Sequence, residues 1–123
     1  MALTPISLGL PADLTSQLVS DEIVYYYSYS ATVGGCLTKG KRYNNYIALT
    51  NKRFIYSTPD FENNFQTKKG FTPIHNIAFM EVDKDGLRTY LHVNTTGGSI
   101  KILMPTEERG GEIRRVFFEL TNK

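Results

Sequence analysis

The chain has 123 residues, with 14 basic and 12 acidic side chains and a net charge of +2. That length holds one domain, whose core can form without disulfides or metal. Eight Tyr and seven Phe exclude a disordered chain, the near-balance of charge argues against a nucleic-acid binder, and no apolar run reaches the ~18 residues of a membrane span.

The start, Met1-Ala-Leu-Thr-Pro-Ile-Ser, has no basic n-region, so the sequence predicts no signal peptide and a soluble, cytoplasmic protein. Residues 1–10, with Pro5 and Gly9 and no periodicity, predict a loose arm. Pro11 suits a first helical turn, where its missing N–H would be unpaired anyway. Leu14 and Leu18 then share one face of a short helix over 11–20.

From Asp21 the period becomes two, and one long strand is expected. Its alternation places Tyr25, Tyr27 and Tyr29 toward the core and leaves Tyr26 exposed, near Tyr46 or Tyr90. Such a tyrosine patch is a candidate protein interface. Gly34-Gly35 ends the strand, and Lys39, Lys41 and Arg42 fill the loop that follows. The single cysteine, Cys36, allows no intramolecular disulfide and no multi-cysteine metal site. It is either a small apolar residue at a strand end or a thiol activated by the neighbouring cations.

Tyr46–Leu49 and Phe54–Tyr56 are aromatic and β-branched runs around a polar break, Thr50-Asn51-Lys52-Arg53. Asn accepts left-handed backbone and bonds its own chain, so a tight hairpin is expected here. The third strand, Lys52–Thr58, should close at Pro59. Residues 59–70 are polar, with Phe61 and Phe65 as anchors and a short fourth strand around Asn64–Lys69.

Ile77–Lys84 predicts a fifth strand with Ala78, Met80 and Val82 inward, turned by Asp83-Lys84-Asp85-Gly86. In Leu87–Asn94, Leu87, Leu91 and Val93 alternate with Arg88, Tyr90 and His92. After Thr95-Thr96-Gly97-Gly98, the run Ser99–Met104 turns Ile100, Ile102 and Met104 inward. Antiparallel strands thus fill 22–104. Pro105 stops the sheet, and Ile113, Val116, Phe117 and Leu120 make one apolar stripe on a helix over 106–121. Gly110-Gly111 weakens its first turn, and Arg114-Arg115 are expected on its solvated side.

The expected fold is mainly β (α+β): a seven-stranded antiparallel open barrel or sandwich, capped by the C-terminal α-helix and carrying a short N-terminal helix. No catalytic pattern accompanies it. His75 and His92 lie in no metal-ligand spacing with each other or with Cys36, and Glu81, Asp83 and Asp85 lack a calcium-loop pattern. The sequence therefore predicts no enzyme, no metal and no cofactor.

Ala48-Leu-Thr-Asn-Lys-Arg-Phe-Ile55, preceded by Glu22-Ile23 after a short helix, resembles the bacterial pleckstrin-homology-like domains. Pro73-Ile74-His-Asn-Ile77 leading into Met80-Glu-Val82 is similar to that family's approach to its fifth strand. The hairpin Gly97-Gly98-Ser-Ile100 and the terminal helix agree. The resemblance covers roughly residues 14–121, and GRAM domains share the architecture.

The resemblance implies a binding module. Phosphoinositide-binding relatives carry Lys and Arg around the first hairpin, which makes Lys39, Lys41 and Arg42 candidates for an anionic membrane or a phosphate. The chain departs from that pattern at Asn44 and Asn45, where further cations would be wanted. Relatives of this kind also form ring-like homo-oligomers, so a protein partner or a second copy is the other expectation, with Tyr26, Tyr46 and Tyr90 as its candidate contacts.

Overall fold

A computed structural model of the chain describes residues 3–30, 45–60, 66–86, 88–104 and 107–121. Seven antiparallel strands form two sheets joined in sequence order. The first holds β1 (Val24–Ser30), β2 (Asn45–Thr50), β3 (Arg53–Asp60) and β4 (Gln66–Pro73). The second holds β5 (Ile77–Asp85), β6 (Arg88–Thr95) and β7 (Gly98–Met104). A 3-10 turn, Ile74–Asn76, links the sheets; α1 (Ala12–Thr15) precedes them and α2 (Glu107–Thr121) follows. This is the expected mainly-β architecture, as two facing sheets rather than a closed barrel.

The principal core lies between the sheets. Tyr26, Ile47, Leu49 and Phe54 meet Met80, Leu91, Val93, Ile102 and Met104, and Ile113 enters from α2. Val116, Phe117 and Leu120 pack behind Ile113, so the apolar stripe of the helix faces inward as its spacing requires. Each such large apolar side chain contributes about 1.5–3 kcal/mol through burial.

A second core covers the outer face of the four-stranded sheet. Leu14, Val24, Tyr46, Ala48 and Ile55 form it, with Ile6, Leu10, Leu18 and Tyr27 packed around them. The second strand of this sheet is thus buried on both faces. That is why Tyr46-Ile47-Ala48-Leu49 reads as an unbroken apolar run rather than an alternation. The N-terminal arm supplies this cover and is not loose: Ile6 N–H donates to Val24 O at 2.8 Å.

Two bulges shift the phase of the pattern. The β1–β2 register slips between Val24 and Tyr26. Val24 and Tyr27 consequently join the outer cluster while Tyr26 joins the inner one, the reverse of simple alternation for Tyr26 and Tyr27. In β5 the slip falls between Ile77 and Phe79. Ile77 and Met80 are buried there, whereas Ala78 is exposed rather than inward.

β3 runs through Pro59 to Asp60, past the expected stop. Among the described residues its last partner on β2 is the pair Tyr46–Ser57 and only β4 lies beside it beyond that point, a position where a proline is tolerated. β4 extends to Pro73, and Tyr56 lies across Gly70: a Cβ there would come within 2.8 Å of the Tyr56 ring carbon Cζ.

Gly110 and Gly111 differ in role. A Cβ at Gly110 would meet Val82 Cγ2 at 2.7 Å, while one at Gly111 would meet nothing within 4 Å. Gly110 therefore lets α2 approach β5, and Gly111 only lowers helix propensity. Gly111→Ala should stabilise the protein by about 0.5–1 kcal/mol. Gly110→Ala should give no gain or a loss; thermal denaturation of the pair checks this. Arg114 also departs from expectation, since its Nε donates to Met80 O at 3.0 Å and fastens α2 to β5.

Candidate functional site

The densest polar constellation surrounds the β2–β3 turn. Thr50 Oγ1 accepts the N–H groups of Lys52 at 3.0 Å and Arg53 at 2.9 Å, which closes the turn. The same hydroxyl reaches Glu22 Oε2 at 2.7 Å. Asn51 clasps the preceding segment, with Oδ1 accepting Ile23 N–H at 2.8 Å and Nδ2 donating to Asp21 O at 3.0 Å. Asp21 sits at φ +68°, a left-handed conformation that Asp tolerates better than bulkier residues.

Arg53 completes the group. Its guanidinium donates in a fork to Glu22, at 2.9 Å from Nε and 3.0 Å from an η nitrogen, and also to Gln17 O at 2.6 Å. The carboxylate side chain of Glu22 is fully shielded from solvent, and that of Arg53 is 14 % exposed beneath the Phe71 ring. Burial alone would raise the Glu22 carboxyl. Hydrogen bonds from Arg53, Thr50 and Val19 outweigh it, so Glu22 titrates below its ordinary range. The bonds of Thr50 to Glu22, of Arg53 to Glu22 and Gln17, and of Asn51 to Asp21 and Ile23 join the segment 17–23 to the sheet, which makes the Leu-Thr-Asn-Lys-Arg motif a fastening.

A second fastening lies one strand along. Tyr46 Oη donates to Asp13 Oδ2 at 2.6 Å, Gln17 Nε2 donates to that hydroxyl, and Lys69 Nζ pairs with Asp13 at 3.2 Å. Tyr46 and Lys69 lower the Asp13 carboxyl, while burial and then Asp13 push the Tyr46 phenol up.

Both carboxyls sit below their ordinary values of 3.8 and 4.5. Their stabilisation is therefore complete above those values and is lost as pH falls through the lower folded-state values. The melting temperature should stay level from neutral pH to about pH 5 and then fall with acid. Glu22→Gln should flatten that acid slope; an unchanged slope would count against the role given to Glu22.

The candidate tyrosines do not form a surface patch. Tyr26 is 6 % exposed, Tyr46 3 % and Tyr90 8 %. Tyr26 points inward because of the β1 bulge, and its hydroxyl donates to Arg109 O at 3.0 Å at the start of α2. Tyr46 is covered by the segment carrying α1. Tyr90 sits on the central strand of its sheet, flanked by both neighbours, with Lys101 Nζ 4.2 Å from its ring centroid. Lys39, Lys41, Arg42 and Cys36 lie outside the described residues.

His75 is exposed in the 3-10 turn. His92 Nε2 stands 3.6 Å from Asp83 Oδ2, without a hydrogen bond. Among the described residues, no group of three or more His, Cys, Asp or Glu is placed to hold a metal. No described helix is long and apolar enough to cross a membrane.

Sequence reasoning missed one concave feature. A groove of about 400 Å³ runs between the N-terminal arm, β1 and α2, with Leu3, Ile6 and Tyr25 facing Arg109, Glu112 and Glu119. Arg109 and Glu112 approach to 3.9 Å, whereas Glu119 Oε2 is buried without a hydrogen-bond partner. The i, i+3 charge spacing on α2 was visible in the sequence; that it faces β1 was not.

A family model described as "Bacterial PH domain" matches residues 18–114. No curated protein matches the chain. Among solved structures, the chain is similar to a DUF1696-family protein with a pleckstrin-homology domain from Shewanella loihica. The identity is 15 %, the TM-score 0.53, and the match covers 89 % of this chain and 90 % of that one. At that identity the likeness establishes the fold.

Proposed function

This chain belongs to the bacterial PH-domain family, and on that premise we propose that it is a non-enzymatic interaction module acting through protein–protein contact, including contact with its own copies. The observation that carries this reading is a set of solvent-facing aromatic side chains. Phe71 is 56 % exposed, Phe79 50 % and Phe118 61 %. Aromatic residues are enriched where proteins meet, and each gives a large contact area at small entropic cost. The polar groups described around Glu22 and Asp13, by contrast, are engaged in holding the fold together.

Light scattering over a concentration series tests the reading. Phe79→Ser and Phe118→Ser should keep the melting temperature close to the parent's, because exposed substitutions change stability by only about ±0.5 kcal/mol. Phe71→Ser also removes the ring over Arg53 and should lower that temperature somewhat. At least one should weaken self-association or partner binding. A strictly monomeric parent in which none of the three alters any binding would overturn the proposal.

A second reading rests on the cation cluster Lys39, Lys41 and Arg42, which suits an anionic membrane surface or a phosphate. Near such a surface each cation is worth roughly 1 kcal/mol. It expects co-sedimentation with anionic but not neutral vesicles, lost on Lys41→Glu; failure to sediment at low salt removes it.

A further inference from the structure

We propose that the groove between β1 and α2 is a binding site for a free α-amino acid with an apolar side chain. The protein-contact reading rests on exposed phenylalanines, so this small-ligand site goes beyond it and stands or falls separately.

At about 400 Å³ the groove lies within the size range of small-ligand sites. Its walls are of two kinds. Leu3 and Ile6 from the arm, Tyr25 from β1 and Val116 from α2 supply apolar surface. Arg109, Glu112, Arg115 and Glu119, all from α2, supply charge. An apolar lining with a few convergent polar groups is the usual character of a pocket that holds and orients a small molecule.

The four charges are not equivalent. Arg109 and Glu112 approach each other to 3.9 Å, so their fields oppose at that end. Arg115 and Glu119 enter no ion pair among the described residues, with each other or with any other group. Glu119 Oε2 is buried without a donor, a costly arrangement in the absence of something that supplies one. Arg115 is exposed, and its planar fork matches a carboxylate. The groove thus wants a cation at depth and an anion at its rim.

Spacing then selects the ligand. Arg115 and Glu119 stand four residues apart on α2, neighbours across one helical turn. The basic residue comes first, which is the weaker order for such a pair to close on itself. A ligand answers both only if its own opposite charges lie close together. In an α-amino acid they share one carbon. Its ammonium donates to Glu119 Oε2, and its carboxylate accepts the Arg115 fork. The side chain is left to Leu3, Ile6, Tyr25 and Val116, where burial favours an apolar one. A plain amine would leave Arg115 unanswered, and a plain carboxylate would leave Glu119 so.

Calorimetric titration of the full chain with leucine and phenylalanine tests the site, with saturation-transfer NMR for millimolar affinities. At least one of the two should bind. N-acetylleucine lacks the ammonium and leucinamide the carboxylate; each should bind about tenfold more weakly than leucine. Glycine, with no side chain, should also be weaker. Glu119→Gln and Arg115→Ala should each weaken binding about tenfold, and circular dichroism melts confirm that both variants fold. No binding of either amino acid at millimolar concentration overturns the proposal. So does leucine that binds both variants as it binds the parent, or leucinamide or glycine that binds as well as leucine. None of these results touches the protein-contact reading.

Discussion

Arg53→Ala should destabilise the protein by about 3–5 kcal/mol, as removal of one partner from a buried ion pair typically does. The loss comes chiefly from Glu22, whose carboxylate is shut away from water and would keep only its Thr50 and Val19 bonds. Gln17 O would also lose its 2.6 Å donor. A domain of this kind has about 5–15 kcal/mol in total, so the variant should sit close to its unfolding midpoint in modest urea.

The paired replacement Glu22→Leu with Arg53→Met should behave quite differently. Apolar residues of similar volume avoid desolvating two charges, and such exchanges are often neutral or stabilising. Urea titration of the single and double variants decides the matter. Should Arg53→Ala melt like the parent, the ion pair would be ornamental and the account of residues 17–23 as tethered through it would fail.

Ile113→Ala is the second large effect, expected at about 2–5 kcal/mol. Ile113 is fully buried and carries α2 into the core shared by both sheets. Truncation leaves a void bordered by sheet residues that cannot easily collapse. One turn further on, Phe118 is 61 % exposed, and Phe118→Ser should fall within about ±0.5 kcal/mol. Equal losses at the two positions would mean that α2 does not seat on its predicted stripe.

Much of the fold was legible because alternation and turn chemistry are local. Asp83-Lys84-Asp85-Gly86 announces a reversal, and Gly86 adopts φ +66° there. Ile100, Ile102 and Met104 alternate without interruption and all face the core. Bulges defeat the same logic, since one extra residue in β1 inverts the facing of Tyr26 and Tyr27 and no residue type marks the slip.

The polar constellation was hidden for a different reason. Glu22 and Arg53 are 31 positions apart, and only the folded register makes them neighbours. The motif around Asn51 was visible, but its partners were not. Ile6 belongs to no periodic segment, yet it ties the arm to β1. Arg114 occupies an outward position on a helical projection, and only the placement of α2 against β5 brings it to a carbonyl.

The bond from Arg114 to Met80 O has an effect beyond seating the helix. β5 is the margin of the smaller sheet, and a bare margin invites foreign strands. A guanidinium parked on one of its acceptors, with a helix alongside, acts as a sentry against unwanted pairing.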